Sequence, residues 1–237
     1  MSALPAAITS VGSFLRAGPD GYRDWVLRRR SSLVAFCIVA VVTGAGLYGA
    51  TMGLWRSGTQ AFYTAIKVPL VILLTTLGNG LLNGMLAPVL GLNIGFRQSL
   101  TMVLVSFAMT SLILGALSPV SLFIVWNTPP LTNATWLSSP EYGFMQLTLA
   151  GFIALAGVIG NARLFPLLRL WSGGNAMVAG RVLFAWLACN LFLGSQVCWV
   201  LRPFIWDPAH PVQFIGPEAW HGSFYETIFE AVRRLLF

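Results

Sequence analysis

The sequence predicts an all-α, polytopic membrane helix bundle of about five transmembrane helices, with amphipathic terminal segments. Three observations predict it. Charged residues make up 9% of the 237 residues, against roughly 25% in soluble domains, while hydrophobic residues reach 57%. Residues 33 to 54 form an apolar run directly behind Arg28, Arg29 and Arg30, long enough to cross a hydrocarbon layer of ~30 Å. Four comparably apolar stretches follow, and a spanning segment must satisfy its own backbone polar groups, which a helix does unaided.

The amino-terminal segment, residues 1 to 32, carries Ile8, Val11, Phe14 and Leu15, then Tyr22, Trp25 and Val26, at helical spacing beside arginines. It is expected to lie along the cytoplasmic headgroups as an interfacial tail. The transmembrane domain is expected over residues 33 to 202, with spans at 33 to 54, 68 to 90, 99 to 125, 144 to 162 and 182 to 201. The first run is too long, and its preceding polar region too extended, for a cleaved signal peptide, so it is expected to remain a helix. Lys67 and Arg97 fall at span ends, where their stems can snorkel to the interface. Residues 203 to 237 form an aromatic flap and a short amphipathic helix. Pro203, Pro208 and Pro211 exclude a continuous helix, while Trp206, Phe214, Trp220, Phe224 and Ile228 suit packing on the outer face. Ser223 and Glu226 make a capping box for the terminal helix, which closes on Arg233 and Arg234.

Loop charges orient the bundle. Nine arginines (16, 23, 28, 29, 30, 97, 163, 169 and 181) fall on the side of the amino terminus, and five basic residues (Arg56, Lys67, Arg202, Arg233 and Arg234) on the other. The bias places the amino terminus in the cytoplasm and the carboxyl terminus outside. The net charge of +7 is therefore explained by span ends and anionic headgroups, not by nucleic acid.

The spans are poor in reactive groups. Neither histidine, His210 or His221, lies in a span, so haem or chlorophyll has no helix-borne axial ligand. No Asp or Glu lies in a span, which disfavours a proton-coupled pump. His210, His221, Asp207 and Glu218 match no zinc spacing, and Ser106, Ser111 and Ser118 have no histidine at their depth to act as a base. No catalytic residue, cofactor site or metal site is assigned. Cys37, Cys189 and Cys198 read as small buried hydrophobes, and Asn133-Ala134-Thr135 as a three-residue sequon match.

The remaining polar and small residues read as packing chemistry. Gly49 and Gly53, with Gly46 and Ala50, and then Gly80 and Gly84, have the small-xxx-small spacing that lets helices approach closely; Gly151, Gly157 and Gly160 recur in span four. Thr75, Asn79 and Asn83 recur every four residues and share one face of span two, while span five offers Asn190, Ser195 and Gln196. The candidate intramembrane polar face is Thr75, Asn79, Asn83, Asn190 and Gln196. It reads either as interhelical hydrogen bonding or as the lining of a solute path.

The approach Lys67-Val68-Pro69-Leu70 into span two, on an amino-cytoplasmic five-span plan over residues 33 to 201, resembles the Yip1-like group of small multi-pass membrane proteins. The segments Leu77-Gly78-Asn79-Gly80-Leu81-Leu82-Asn83-Gly84 and Asn190-Leu191-Phe192-Leu193-Gly194-Ser195-Gln196 also resemble uncharacterised bacterial multi-pass proteins. The chain differs from eukaryotic Yip1 proteins in its short amino-terminal tail and its outer carboxyl tail. The resemblance implies a non-catalytic membrane adaptor or organiser. The expectation is a bacterial inner-membrane scaffold or complex subunit that meets lipid and other subunits or its own copies. The alternatives are a passive channel or small-solute carrier lined by spans two and five, and an enzyme of lipid or envelope metabolism.

Overall fold

The computed structural model describes residues 11–28, 30–129, 140–202, 211–216, 219–223 and 225–226. Ile8, the sequon at 133 to 135, Trp206, Asp207, His210, Glu218, Phe224, Ile228 and the terminal arginines lie outside them. The described residues are helical without a strand, and five helical segments are long and apolar enough to cross a membrane: Ser31–Leu54, Gly58–Val89, Phe96–Asn127, Glu141–Trp171 and Ala176–Leu201. The fold is an all-α bundle of a multi-pass membrane protein.

Two short helices lead in, α1 (Val11–Arg16) and α2 (Pro19–Arg28). The first span is α3 (Arg30–Ala40), a π-helical turn (Val41–Ala45) and α4 (Gly46–Leu54). Then come α5 (Gly58–Val89), α6 (Phe96–Asn127), α7 (Pro140–Ala162) with its short continuation α8 (Leu164–Trp171), and α9 (Ala176–Leu201). Helix α6 is the hub, packed on the first span, α5 and α7; α5 in turn carries α4 and α9. Of the most apolar stretch of each span, 61% is buried in α6 but only 22% in the α7–α8 span and 17% in α9, so these last two are peripheral.

Close approach is set by glycine, as lipid supplies no hydrophobic force between helices. A Cβ on Gly53 would stand 2.5 Å from Ala61 Cα, and one on Gly49 2.9 Å from the Thr64 carbonyl carbon, so α4 lies against the α5 backbone. Gly80 and Gly84 receive Leu100 and Phe96 of α6. A further close crossing was not read from the sequence: Gly44, in the π turn, meets the Ser111 backbone, and a Cβ on Gly115 would be 3.0 Å from Gly44 Cα. Gly160 backs onto Ser106 and Thr110, whereas Gly151 and Gly157 have nothing among the described residues within 4 Å of where a Cβ would lie. Pro69, Pro88 and Pro119 sit inside α5 and α6. Each frees the carbonyl four residues earlier, at Ala65, Gly84 and Gly115, and at each a neighbouring helix comes close.

Four expectations need correction. The second span starts at Gly58, not 68, because the Ser57 side chain caps the helix by accepting from Gln60 N at 3.1 Å. Lys67 is therefore inside α5 and 3% exposed rather than snorkelling at an end. The amino-terminal tail does not rest on headgroups alone. Phe14, Tyr22, Trp25 and Val26 are buried with Leu33, Val105 and Leu167, Tyr22 donates to Phe14 O, and Arg23 lies 5.9 Å over the Trp171 ring. Cys37 is buried, but Cys189 and Cys198 are only half-buried.

Candidate functional site

Helices α5 and α9 run antiparallel, and their register brings the polar face together. Asn79 Nδ2 donates to Asn190 Oδ1, and one turn toward the carboxyl end of α9 Gly194 faces Thr75, whose Cγ2 is 3.6 Å from the position of a glycine Cβ. The same register sets Asn83 level with Trp186. Thr75, Asn79, Asn83 and Trp186 are all buried. Four of the five predicted polar residues thus form one seam. Gln196 does not join it, since six residues on an α-helix turn the side chain ~240° from Asn190. Ser195 instead shares a hydrogen bond of 2.7 Å with Tyr225 Oη in the carboxyl tail.

The seam is incompletely satisfied. Thr75 Oγ1, Asn79 Oδ1, both amide atoms of Asn83 and Trp186 Nε1 are buried without a hydrogen-bond partner among the described residues. Such groups cost free energy in a low-dielectric interior, so the seam is held as much by packing as by bonding.

Beside the seam lies a cavity of about 670 Å³. It is a groove between α7 and α9, which do not pack along one another, floored by α5 and α6. Its lining is almost wholly apolar. The polar exceptions are Thr75, Thr110, Asn161 and Asn190, and no charged side chain among the described residues reaches it. Thr110 Oγ1 donates to Ser106 O at 3.1 Å and to Ala156 O at 3.3 Å, and Ser106 Oγ donates to Asn161 Oδ1 at 3.2 Å, so α6 and α7 are tied here. Tyr48 Oη ties the first span to α7 by donating to Leu149 O at 2.7 Å. These ties were missed, although Ser106 and Thr110 show the same four-residue spacing as the span-two face.

Toward the end of the bundle nearer Ser57, residues 211 to 216 lie against α5, while Tyr225 meets α9 nearer the middle of its length. Lys67 Nζ donates to Gln213 O at 3.2 Å and sits 5.4 Å from the Phe214 ring centroid, which also meets Tyr63 edge-on at 5.5 Å. A carbonyl and an aromatic face are what a desolvated ammonium needs. Tyr225 stacks on Phe192 at 5.3 Å. Ser223 Oγ accepts from Glu226 N at 3.2 Å while Ser223 N donates to Glu226 Oε2 at 3.1 Å, a reciprocal capping box. Trp220 contributes nothing to this packing, being 75% exposed.

No group of three or more His, Cys, Asp or Glu side chains is placed to hold a metal ion among the described residues. Comparison with protein-family models, curated proteins and solved structures gives no match.

Proposed function

We propose that this chain is a non-catalytic scaffold or subunit of a membrane protein complex in a bacterial inner membrane, its amino terminus cytoplasmic and its carboxyl terminus outside. The observation that carries the reading is the closure of the polar face: Asn79 and Asn83 are 0% exposed. These two groups lie between helices, and Thr75 and Asn190 border a groove that is otherwise mainly apolar. Side chains of Asn79, Tyr48, Ser106 and Thr110 each tie one span to another, which suits a part that holds others in place. The Yip1-like resemblance implies the same class of role.

The orientation rests on the arginine bias, and burial of Lys67 sharpens it. With Lys67 inside α5, nine basic residues on the amino-terminal side face four on the other. The partner surface is the outer side of α7 and α9, where Phe144, Leu147 and Phe184 project from the bundle. Lipid covers this surface until another subunit, or a second copy of the chain, replaces it. Photo-crosslinking residues at Phe144 and Phe184 in native membranes, followed by gentle extraction, should capture a discrete protein. The purified chain in liposomes should pass neither ions nor small solutes. Selective flux without a captured partner would overturn the proposal in favour of a channel.

A further inference from the structure

We infer that the groove between α7 and α9 is a binding site for one neutral, long-chain lipid that carries an oxygen function in mid-membrane. The site stands apart from the outer faces of α7 and α9 assigned above to a protein partner.

Size selects the ligand class. Along α9 the lining runs from Leu183 to Cys198, which at 1.5 Å per residue is ~22 Å, most of the thickness of a hydrocarbon core. The groove holds about 670 Å³. A single extended chain fits, and the volume lies in the range typical of small-molecule sites.

Polarity selects the chemistry. Thr75 is 3% exposed, and its Oγ1 has no partner among the described residues although the residue lines the groove. Asn190, on the adjoining α9 wall, accepts from Asn79 through its carbonyl and carries its NH₂ as a further donor. Both sit near the middle of their helices, α5 of 32 residues and α9 of 26. Their depth is therefore that of the bilayer midplane, where the ester groups of ordinary phospholipids do not reside. With no charged side chain in the lining, the part of the ligand held here is uncharged, because an isolated charge would not be solvated. A ketone or hydroxyl part-way along a hydrocarbon or isoprenoid chain meets all three conditions. Gly157 lines the α7 wall without a side chain, with no described atom within 4 Å of a Cβ position, and leaves room for the chain.

The test uses the full chain in nanodiscs of neutral phospholipid and two photoreactive probes of equal length, a long-chain ketone with its carbonyl at mid-chain and the corresponding hydrocarbon. The ketone should label residues on α7 and α9 saturably, and at least about tenfold more tightly than the hydrocarbon. Thr75→Val keeps the shape and removes the hydroxyl, so it should bring the ketone down to the hydrocarbon's affinity while melting no lower than the parent. Gly157→Leu fills the groove and should abolish labelling by both. Equal labelling by the two probes in the parent, or ketone labelling unchanged by Thr75→Val, would overturn the assignment. So would capture of a helix of another protein by a photoreactive residue at Leu187, with both probes excluded.

Discussion

Replacing Gly53 by alanine adds one methyl at the crossing of α4 and α5, and the structure says what that methyl meets. Its position lies 2.5 Å from Ala61 Cα and 2.6 Å from Ala61 N, against the ~3.5 to 4.0 Å of a comfortable carbon contact. The Thr64 hydroxyl, also 2.5 Å away, can turn aside, but the Ala61 atoms are backbone and no rotamer change relieves them; the two helices must part by ~1 Å. Overpacking of this kind costs about 1 to 3 kcal/mol, offset by ~1 kcal/mol of helix propensity gained on leaving glycine. Gly151→Ala is the internal control, since nothing lies within 4 Å of its Cβ position and only the propensity gain remains. The two variants should therefore differ by on the order of 2 kcal/mol in equilibrium unfolding in mixed micelles, with Gly151→Ala at or above the parent. If Gly53→Ala proves as stable as Gly151→Ala, the α4–α5 spacing described here is wrong.

Three further expectations concern the ends of the bundle. Burial pushes the Tyr22 phenol up to about 12, with the guanidinium of Arg163 opposing the shift; a folded-state value above the unfolded one makes its stabilising contribution complete below pH ~10 and lost as pH rises toward 12. The stability difference between parent and Tyr22→Phe should therefore shrink across that window, and a difference independent of pH would show that Tyr22 is not buried. A cysteine at Thr59 should react with an impermeant thiol reagent from outside intact cells and one at Met177 should not; the reverse pattern would invert the orientation. Lys67→Met should release the segment at 211 to 216, read as faster proteolysis there with the bundle intact, and unchanged cleavage would mean that the contacts to Gln213 and Phe214 do not hold it.

The number of spans was legible because a crossing needs only length and hydropathy, and no other element competes for a run such as 99 to 125. Helix ends were less so. Ser57 and Gln60 already carry the capping pattern, but Lys67 made the segment before 68 look like a loop, as a charge in a span is costly unless something distant satisfies it. That something is the backbone of Gln213, 146 residues away, and no local pattern announces it. The four-residue spacing of Thr75, Asn79 and Asn83 was enough to predict a shared face, yet its partner depended on the α5–α9 register, which periodicity does not set. Gln196 was grouped with Asn190 on residue type, and helix geometry separates them. The π turn at Val41–Ala45 and the Gly44–Gly115 crossing had no sequence signature that distinguishes them from an ordinary apolar helix. The groove is a gap between α7 and α9, and a gap is a property of packing alone.

The central claim is that the polar groups of the spans hold helices together and do not conduct. Melting and liposome flux of the parent, Asn79→Leu and Asn83→Leu test it most directly. Asn79→Leu removes the bond to Asn190 and should cost about 1 kcal/mol, within the range of membrane hydrogen bonds. Asn83→Leu removes a side chain whose two amide atoms have no partner among the described residues, so it should be neutral or stabilising, and none of the three proteins should pass solute. Flux through the parent that both substitutions abolish, with melting unchanged, would contradict the account.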